Sequence, residues 1–416
     1  MQPTDIVILS NGPGEIATWV RPVVKSLGQM FEDCSQIRIS VLLSPCPHST
    51  GREATIAASY SEVERVLPAQ NFFDFLLWGK TPDNWSWYER GIVVFLGGDQ
   101  FYTVAISQRL GYSSLIYAEW EARWYRWVDR FAAMNQRAIE RIPSTYQHKF
   151  SLVGDLMADV RLEVKQKQLP SPSTHPLIGL LVGSKPAKLA QGVPLCLAIA
   201  EKLQQQYSQA RFVIPVAPTI ETTTLGNYAA RQHNPLIAIL GNVTGELVSV
   251  AGVEHIITAG GTEIELVTEF PAYQTLAECQ ICLTTVGANT AELTALQVPM
   301  IVLLPTQQLD AMRSWDGLPG LLANLPLVGT LFAKAINWSI LRQGRLFAWP
   351  NIWAGREIVP ELVGTLEAEK VARLVLDYLT HPQKLQTMRD CLSEVRGETG
   401  AAQQIADIIG QEITKT

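Results

Sequence analysis

The sequence predicts an α/β protein made of two Rossmann-like domains that face each other across a cleft. Three observations predict this architecture. Apolar, strand-like runs alternate with longer amphipathic stretches; a polar, proline-rich segment at 164–176 interrupts the alternation; and the alternation then begins again. The chain has 416 residues, 47% of them hydrophobic and 17% charged, which is enough apolar sequence for two buried cores and unlike a disordered protein.

The individual elements follow the same alternation. In the first half, strands are predicted at 5–10, 37–43, 91–97, 113–117, 130–133 and 149–153, with helical patterns at 13–30 and 102–110. In the second half, strands are predicted at 177–182, 211–215, 256–259, 281–285 and 300–304, with helices at 187–206 and 290–296. We therefore predict a first domain at 1–165, a second at 176–380, and C-terminal helices at 381–416 that pack back on the first domain.

Charge and hydropathy narrow the class of function. The net charge is −6 and Lys and Arg do not cluster, so nucleic acid is not an expected partner. The chain enters a strand almost at once and lacks a signal-peptide pattern, so we expect a cytoplasmic protein. The longest uncharged apolar tract, 317–333, contains two prolines and is shorter than the ~20 residues of a spanning helix, so we expect it at most to rest on a membrane.

The six cysteines are scattered along the chain, which predicts reduced thiols in this compartment. Cys279 and Cys282 form a C-x-x-C pair, but no second such pair or His pair accompanies it. Core packing is therefore the favoured interpretation, and a metal or redox site is the alternative.

The stretch Asn11–Thr18 resembles a dinucleotide fingerprint, because Gly12, Gly14 and Ala17 follow a strand with G-x-G-x-x-A spacing. That fingerprint also needs an acid at the end of the next strand, and 37–43 is followed by Ser-Pro-Cys-Pro. Glu15 moreover lies where a pyrophosphate would bind. We therefore expect no NAD; Glu15 either favours the helix N-terminus or faces a substrate.

Asp99 lies at the carboxyl end of the strand predicted at 91–97 and directly follows Gly97 and Gly98. Because the carboxyl ends of parallel strands share one edge of a sheet, Asp99 and Glu15 are expected to face one cleft. A solvated or helix-capping aspartate is the alternative.

Two loops of the second half suit an anion. Gly183-Ser184-Lys185 offers close backbone approach and a cation to a diphosphate. Gly287 begins a turn before a helix whose N-terminus also suits a diphosphate, with Thr290 as a cap. Glu292 lies one turn into that helix, where it either accepts hydrogen bonds from ribose hydroxyls or completes a capping box.

A third segment, 349–361, is predicted to be a shaped loop rather than a helix face. It matches, at 350–362, the P-N-L-x-A-G-R-E-x-V-x-E-L pattern of the lipid-A-disaccharide synthases, inverting GT-B glycosyltransferases that act on membrane lipids. Further similarity is carried by 97–99 (G-x-D in the family), 154–159 (G-H-x-M-A-D), 183–185 (G-S-R) and 286–292 (S-G-T-A-T-L-E). The chain thus resembles this family and is similar to its divergent cyanobacterial relatives.

The chain also departs from the family pattern. The family's opening G-E-A-S-G-D survives only as Gly14-Glu15, its histidine before the linker is Asp155, and the arginine of G-S-R is Lys185. The regions 220–265 and 306–335 look longer than the family needs. Most changes fall on the acceptor side, so the donor chemistry is the firmer implication.

The resemblance implies a GT-B fold with an acceptor-side first domain and a second domain that binds a nucleotide-sugar donor. The family resemblance points to a UDP-linked donor such as UDP-diacylglucosamine. It makes Asp99 the leading general base, with Glu15 as the alternative base or its partner. Neither a metal nor a cofactor is expected, because no D-x-D motif is present. The donor-binding residues it implies are Gly183, Ser184, Lys185, Gly287, Asn289, Thr290, Glu292, Asn351, Arg356 and Glu357.

A lipid acceptor would also account for a group of aromatic residues interleaved with arginines, which suits peripheral contact with the inner face of the plasma membrane. Packing between helices and sheet is the alternative. The group comprises Trp78, Trp85, Trp87, Tyr88, Trp120, Trp124, Tyr125 and Trp127 with Arg123, Arg126 and Arg130. Two other functions stay open: a nucleotide-sugar 2-epimerase of the same fold, and a catalytically inert, lipid-binding relative.

Overall fold

A computed structural model of the protein describes residues 2–31, 36–46, 49, 51–164, 175–305 and 346–415. The chain forms two compact units, Met1–Glu163 with Arg396–Thr416, and Val164–Val395. Each unit is built on one sheet with helices packed against it, which confirms the predicted α/β class with two Rossmann-like sheets. The apolar tract 317–333 and residues 165–174 of the predicted linker lie outside the described residues.

The first unit contains a seven-stranded sheet in the order β3-β2-β1-β4-β5-β6-β7, and its strands pair in parallel throughout. The strands are β1 (Thr4–Ser10), β2 (Ile37–Leu43), β3 (Arg65–Leu67), β4 (Arg90–Phe95), β5 (Ser113–Ala118), β6 (Arg130–Ala133) and β7 (Phe150–Leu152). The helices are Pro13–Glu15, the π-helical turn Ile16–Val20, Arg21–Met30, Glu53–Ala58, Phe72–Trp78, Gln100–Leu110, Gln136–Glu140, Ser144–Gln147 and Ala401–Lys415, with 3-10 turns at Ala69–Asn71 and Leu156–Glu163.

The central strand β1 is buried on both faces, which is why it reads as a continuous apolar run rather than an alternating one. On one face Ile6 packs in a cluster that includes Ile405 of the last helix. On the other face Val7 packs with Phe72. The C-terminal helix therefore completes the core of the first unit.

The segment predicted to form the C-terminal helices, 381–416, is divided between the two units. The helix Pro382–Arg396 packs in the second unit, where Met388 Sδ accepts a hydrogen bond from the backbone of Met300. The helix Ala401–Lys415 belongs to the first unit because the buried Asp159 carboxylate accepts the backbone N–H groups that precede and begin it. Packing on the first unit is thus a property of the last helix and of Arg396, which belongs to the first unit and pairs with Asp155.

The second unit contains an eight-stranded sheet in the order β10-β11-β12-β9-β8-β13-β14-β15. Its strands are β8 (Leu177–Leu181), β9 (Arg211–Pro215), β10 (Gly245–Val250), β11 (Val253–Thr258), β12 (Glu263–Val267), β13 (Ile281–Thr285), β14 (Met300–Pro305) and β15 (Glu361–Gly364). The pairs β10·β11 and β11·β12 are antiparallel and the other pairs are parallel. The part of the chain that looked long, 220–265, therefore supplies an antiparallel extension of the sheet.

The helices of the second unit are Pro186–Gln206, Thr222–Ala229, Tyr273–Glu278, Ala288–Ala295, Trp349–Ala354, Ala368–Thr380 and Pro382–Arg396, with a 3-10 turn at Pro235–Ala238. Cys279 and Cys282 are fully buried, as the core-packing interpretation predicts. Across the described ranges, no helix has the length and apolarity needed to cross a membrane.

Candidate functional site

Parallel register brings three loops of the first unit to one edge of its sheet. Ser10 at the end of β1 lies opposite Leu43 of β2, and Leu9 lies opposite Phe95 of β4. The backbone of Ser44 donates to Ser10 O at 2.9 Å, which continues the pairing one residue beyond β2. The segments that follow β1, β2 and β4 therefore begin side by side, and we call this the carboxyl edge of the first sheet.

Glu15 lies at this edge against the glycines that surround it. It ends the short helix Pro13–Glu15, just before the π-helical turn. A β-carbon at Gly97 would lie 3.2 Å from Glu15 Cγ and 3.1 Å from Asn11 Oδ1, and one at Gly12 would collide with Glu15 Oε2. Gly97 has φ of 143°, a conformation that favours glycine. The structure thus brings Glu15 beside the loop that carries Asp99.

Asp99 is exposed and begins the helix Gln100–Leu110. Its Oδ1 accepts the backbone N–H of Phe101 at 2.9 Å, so the capping interaction considered from the sequence is present. No described contact involves the second carboxylate oxygen, Oδ2. One oxygen is therefore structural while the other is available to a substrate.

Glu119 is a carboxylate at this edge that the sequence analysis missed. It follows β5 directly, as Asp99 follows β4 closely, and that position was the signal that could have found it. Burial, with smaller contributions from the nearby Asp155 and Glu15 charges, raises the pKa of Glu119 to about 7, although Arg396 opposes the shift. The edge therefore carries a carboxyl group that titrates near neutrality.

The aromatic residues that the sequence grouped together separate into two sets. Trp85 and Trp87 pack against the core, with the Arg65 guanidinium over both rings at 4.4 and 4.8 Å. These contacts agree with the packing interpretation. Arg130 belongs to neither set, since it pairs with Glu412 at 2.9 Å.

The second set is exposed and lies beside Asp99. Trp124 and Trp127 of the predicted group form a row with Phe101, which was not part of it. The ring centroids are 5.2 and 5.7 Å apart, with planes tilted by 51° and 46°, and we call the three residues the aromatic stack. Gln100 holds the segment in place, because its side-chain amide donates to Glu121 O and accepts from the backbone of Arg123. The stack is therefore a surface feature at the same end of the helix as Asp99.

In the second unit, the loops that follow β8 and β13 meet at the carboxyl edge of the sheet. Gly183 has φ of 90°, and Lys185 is exposed at the N-cap of the helix Pro186–Gln206. Lys188, one turn into that helix, donates from Nζ to Val286 O at 2.6 Å. A β-carbon at Gly287 would lie 3.0 Å from the same Nζ. Lys185 was predicted from the sequence, whereas Lys188, three residues further on, was not.

Two of the expected donor-binding residues hold the loops together. Thr290 is fully buried, donates to Gly287 O at 2.8 Å and accepts from Trp349 N, so it is not the N-cap, which is Gly287. Asn351 is fully buried as well, and its amide makes four hydrogen bonds, to Ile358, Val359 and Glu361. With all four positions used, its side chain is committed to the chain itself.

The segment around Asn351 contains the helix Trp349–Ala354, which corrects the prediction of a loop without helix. Pro350 at the second helical position and Gly355 in the left-handed conformation after it are the usual start and end of a helix. Arg356 and Glu357 follow and are exposed. Arg356 Nη2 lies 3.8 Å from Cys391 Sγ, on the helix Pro382–Arg396.

Glu292 lies on the helix Ala288–Ala295 and is partly covered. Its carboxylate has no hydrogen bond or ion pair in the described part of the chain, so it does not complete a capping box. Burial raises its pKa to about 7. Gly183, Ser184, Lys185, Gly287, Asn289 and Glu292 thus all belong to the loops and first helical turns that follow β8 and β13. No group of three His, Cys, Asp or Glu side chains suited to a metal occurs within the described ranges.

Comparison with curated proteins finds distant relatives. The chain is 25% identical over 249 residues to the lipid-A-disaccharide synthase of Anaeromyxobacter sp. (strain K), covering 59% of this chain and 51% of that protein. It is 24% identical over 274 residues to the synthase of Geobacter sulfurreducens, covering 64% and 58%. The match spans about half the length of these relatives, and no family model matches the chain.

Solved structures share the fold at low identity. A putative UDP-N-acetylglucosamine 2-epimerase from Listeria monocytogenes aligns with a TM-score of 0.54 at 14% identity, covering 100% of this chain and 98% of that one. S. aureus MnaA, in its co-structure with UDP, aligns with a TM-score of 0.55 at 11% identity and the same coverage. The GT-B fold that the sequence predicts is confirmed, with two α/β, Rossmann-like units.

The raised pKa of Glu119 predicts a pH-dependent stability. The folded state holds the proton more tightly than the unfolded state, whose pKa is near 4.5, so stability is lost as pH rises from there through about 7. Glu119→Gln removes this loss. We expect the variant to gain stability over the natural protein between about pH 5 and pH 8, by at most roughly 3 kcal/mol.

Urea unfolding of both proteins at about pH 5 and about pH 8 measures the effect on the free energy of unfolding. Glu121→Gln is the matched control, because Glu121 is an exposed carboxylate two residues away that pairs with Arg123. An identical pH dependence in Glu119→Gln and the natural protein would contradict the assignment.

Proposed function

We propose that the protein is an inverting glycosyltransferase that moves a sugar from a nucleotide-sugar donor, UDP-linked, to a lipid or glycolipid acceptor. The observation that carries the proposal is the difference in charged groups between the two sheets. The carboxyl edge of the first sheet gathers the carboxylates Glu15, Asp99 and Glu119, whereas the corresponding loops and helix starts of the second carry the cations Lys185 and Lys188 as well as the carboxylate of Glu292. The similarity to proteins named lipid-A-disaccharide synthase supports the transferase class.

The two kinds of charge suit the two halves of this reaction. The oxygen of an acceptor hydroxyl bonds to the anomeric carbon of the donor while the bond from that carbon to the diphosphate breaks, and the diphosphate keeps the electron pair. The hydroxyl proton passes to a carboxylate, for which Asp99 is our choice because its Oδ2 has no hydrogen-bond partner among the described residues. Cations and helix N–H groups stabilise the departing diphosphate.

Replacement of Asp99 by Asn tests the base. Asparagine is also a good N-cap, so the helix Gln100–Leu110 keeps its start and the melting temperature should not change. We expect transfer of radiolabelled sugar to total membrane lipid to fall by at least ~100-fold, with donor affinity unchanged.

Near-normal transfer by Asp99→Asn would exclude Asp99 as the base, and Glu15→Gln and Glu119→Gln would then be compared in the same assay. Incubation of the natural protein with UDP-GlcNAc alone separates the alternatives. A changed sugar without acceptor lipid identifies a 2-epimerase, and failure to bind any nucleotide sugar identifies an inert relative.

Glu292 is proposed to hold the ribose of the donor, since its carboxylate is partly covered and lacks a partner in the described part of the chain. Glu292→Ala should weaken nucleotide binding by roughly 10- to 100-fold, the usual effect of losing a hydrogen bond to a charged group. A nucleotide without ribose hydroxyls should bind the natural protein as weakly as the ordinary nucleotide binds Glu292→Ala. Its affinity should be the same for the natural protein and the variant. Calorimetry with both nucleotides measures this; an unchanged affinity in Glu292→Ala contradicts the role.

A lipid acceptor is proposed because the aromatic stack is exposed beside Asp99. Tryptophan favours the interface between water and acyl chains, so the stack suits peripheral membrane contact. We expect the protein to float with anionic phospholipid vesicles, and the double variant Trp124→Ala, Trp127→Ala to do so at least severalfold less. The exposed Trp78, on another helix, supplies the control Trp78→Ala, and equal flotation of all three proteins would argue against contact through the stack.

A further inference from the structure

The Glu15 carboxylate has no hydrogen bond or ion pair within the described part of the chain. Its side chain lies back over Gly12 and against Gly97. No partner holds this side chain through its charge, so its direction depends on the conformation of the backbone that carries it. Whatever fixes the backbone around Glu15 therefore also fixes the carboxylate.

The backbone after Glu15 forms the π-helical turn Ile16–Val20, and the helix Arg21–Met30 follows it directly. In this turn the Arg21 N–H reaches back five residues and donates to Ile16 O. Turns of this kind are rare and occur frequently at functional sites. A carbonyl oxygen has two lone pairs, so Ile16 O can accept a second hydrogen bond from outside the helix.

Tyr60 supplies that second hydrogen bond from a distant part of the sequence. Its hydroxyl donates to Ile16 O at 3.1 Å, and both residues are buried. Burial raises the pKa of Tyr60, although the Arg21 guanidinium, 5.5 Å from the centre of the ring, opposes the shift. The hydroxyl therefore keeps its proton and remains a donor at neutral pH.

Thr18 fixes the backbone on the other side of Glu15. Its hydroxyl donates to Gly14 O at 2.8 Å, and the residue is buried. The carbonyl groups before and after Glu15 are thus each held by the hydroxyl of a buried residue. A buried hydroxyl also needs a partner of its own, so a purely structural role is the alternative. The two roles differ in what the loss of a hydroxyl changes.

We propose that Tyr60 and Thr18 are positioning residues, which hold the π-helical turn so that the Glu15 carboxylate stays at the carboxyl edge of the first sheet. Held in this way, Glu15 needs no partner within the chain and keeps its oxygens for a substrate hydroxyl. A carboxylate fixed in advance contributes more to a reaction than one that must be ordered when substrate binds. That the hydroxyl belongs to a sugar acceptor rests on the proposed function, whereas the placement of Glu15 does not.

Removal of one hydroxyl at a time from the full chain tests the proposal. Tyr60→Phe keeps the ring and removes the hydrogen bond to Ile16 O. Tyr112→Phe is the matched control, because Tyr112 is also buried and donates to Asp5 at the amino end of the same sheet. We expect Tyr60→Phe to lower kcat for sugar transfer to total membrane lipid by roughly three- to tenfold, with the KM for the donor unchanged. Tyr112→Phe should lower the urea midpoint without changing kcat.

A double-mutant cycle with Glu15→Gln separates positioning from stability. Glu15→Gln should itself lower kcat by at least as much as Tyr60→Phe does. In the Glu15→Gln protein, Tyr60→Phe should then change kcat by less than about twofold, because the side chain that Tyr60 places is already altered. Thr18→Val should reproduce the loss, and Thr18→Ser, which keeps the hydroxyl, should retain the natural kcat. The Thr18 variants keep the test decisive if Tyr60→Phe does not fold.

Equal kcat values in Tyr60→Phe and Tyr112→Phe, full additivity with Glu15→Gln, or a kcat that Glu15→Gln leaves unchanged would overturn the proposal. Hydrogen exchange supplies a measurement that needs no activity. The amides of 16–21 should exchange at least severalfold faster in Tyr60→Phe than in the natural protein, and no faster in Tyr112→Phe. If the natural protein transfers no sugar, the proposed function fails, and unchanged exchange at 16–21 in Tyr60→Phe would reject the placement of Glu15 as well.

Discussion

Parallel pairing of β1 with β2 and β4 is the constraint on which the first unit's candidate site depends. Hydrogen bonds between parallel strands fix the register, and the register fixes where each strand ends and the following loop begins. Leu96 N donates to Leu9 O just where β4 ends, so the glycines at 97 and 98 begin against the loop after β1. Any side chain larger than hydrogen at Gly98 would press on Ser44 Oγ, 2.6 Å from its β-carbon. The close approach of Glu15 to this loop therefore follows from backbone geometry before any side-chain chemistry is considered.

Charged side chains at the two ends of the first sheet differ in how fully they are paired. At the amino end, Asp5 is fully buried and saturated, with Arg38 pairing to both oxygens and Tyr112 donating at 2.8 Å. At the carboxyl end, Glu119 carries a pKa raised towards neutrality. In the described part of the second unit, Lys188 and Glu292 are likewise covered and form no ion pair. A covered charge without a partner costs stability, and such charges are typical of functional sites.

The sequence predicted the elements whose apolar runs are continuous, and it failed where structure depends on neighbours. β2, β9 and β13 have the predicted bounds, because they are central or near-central strands buried on both faces. β3 and β15, of three and four residues, are strands only through their pairing with β2 and β14. The same limit applies to the site. The glycine turns after strands could be recognised in the sequence, but an asparagine such as Asn351, whose amide bonds only to the chain itself, could not be told from one that binds a ligand. Lys188 was missed because its burial cannot be read from residue type, and the burial that raises the pKa of Glu119 is equally invisible in the sequence, although its position directly after a strand is not.

The stretch Asn11–Thr18 shows how local chemistry overrides a spacing pattern. Its glycines lie at a strand-to-helix turn, as the pattern predicts, and Ile16 N donates to Gly12 O as the helix begins. The Glu15 carboxylate, however, lies back over Gly12 and against Gly97, in the space above the glycine turn that a pyrophosphate would need. Removing that carboxylate would not create a dinucleotide site, since β2 is followed by Ser44, whose hydroxyl cannot replace the acid that binds ribose hydroxyls. The glycines therefore bring a carboxylate to the carboxyl edge of the first sheet. A dinucleotide site would instead leave that space free of negative charge for the pyrophosphate.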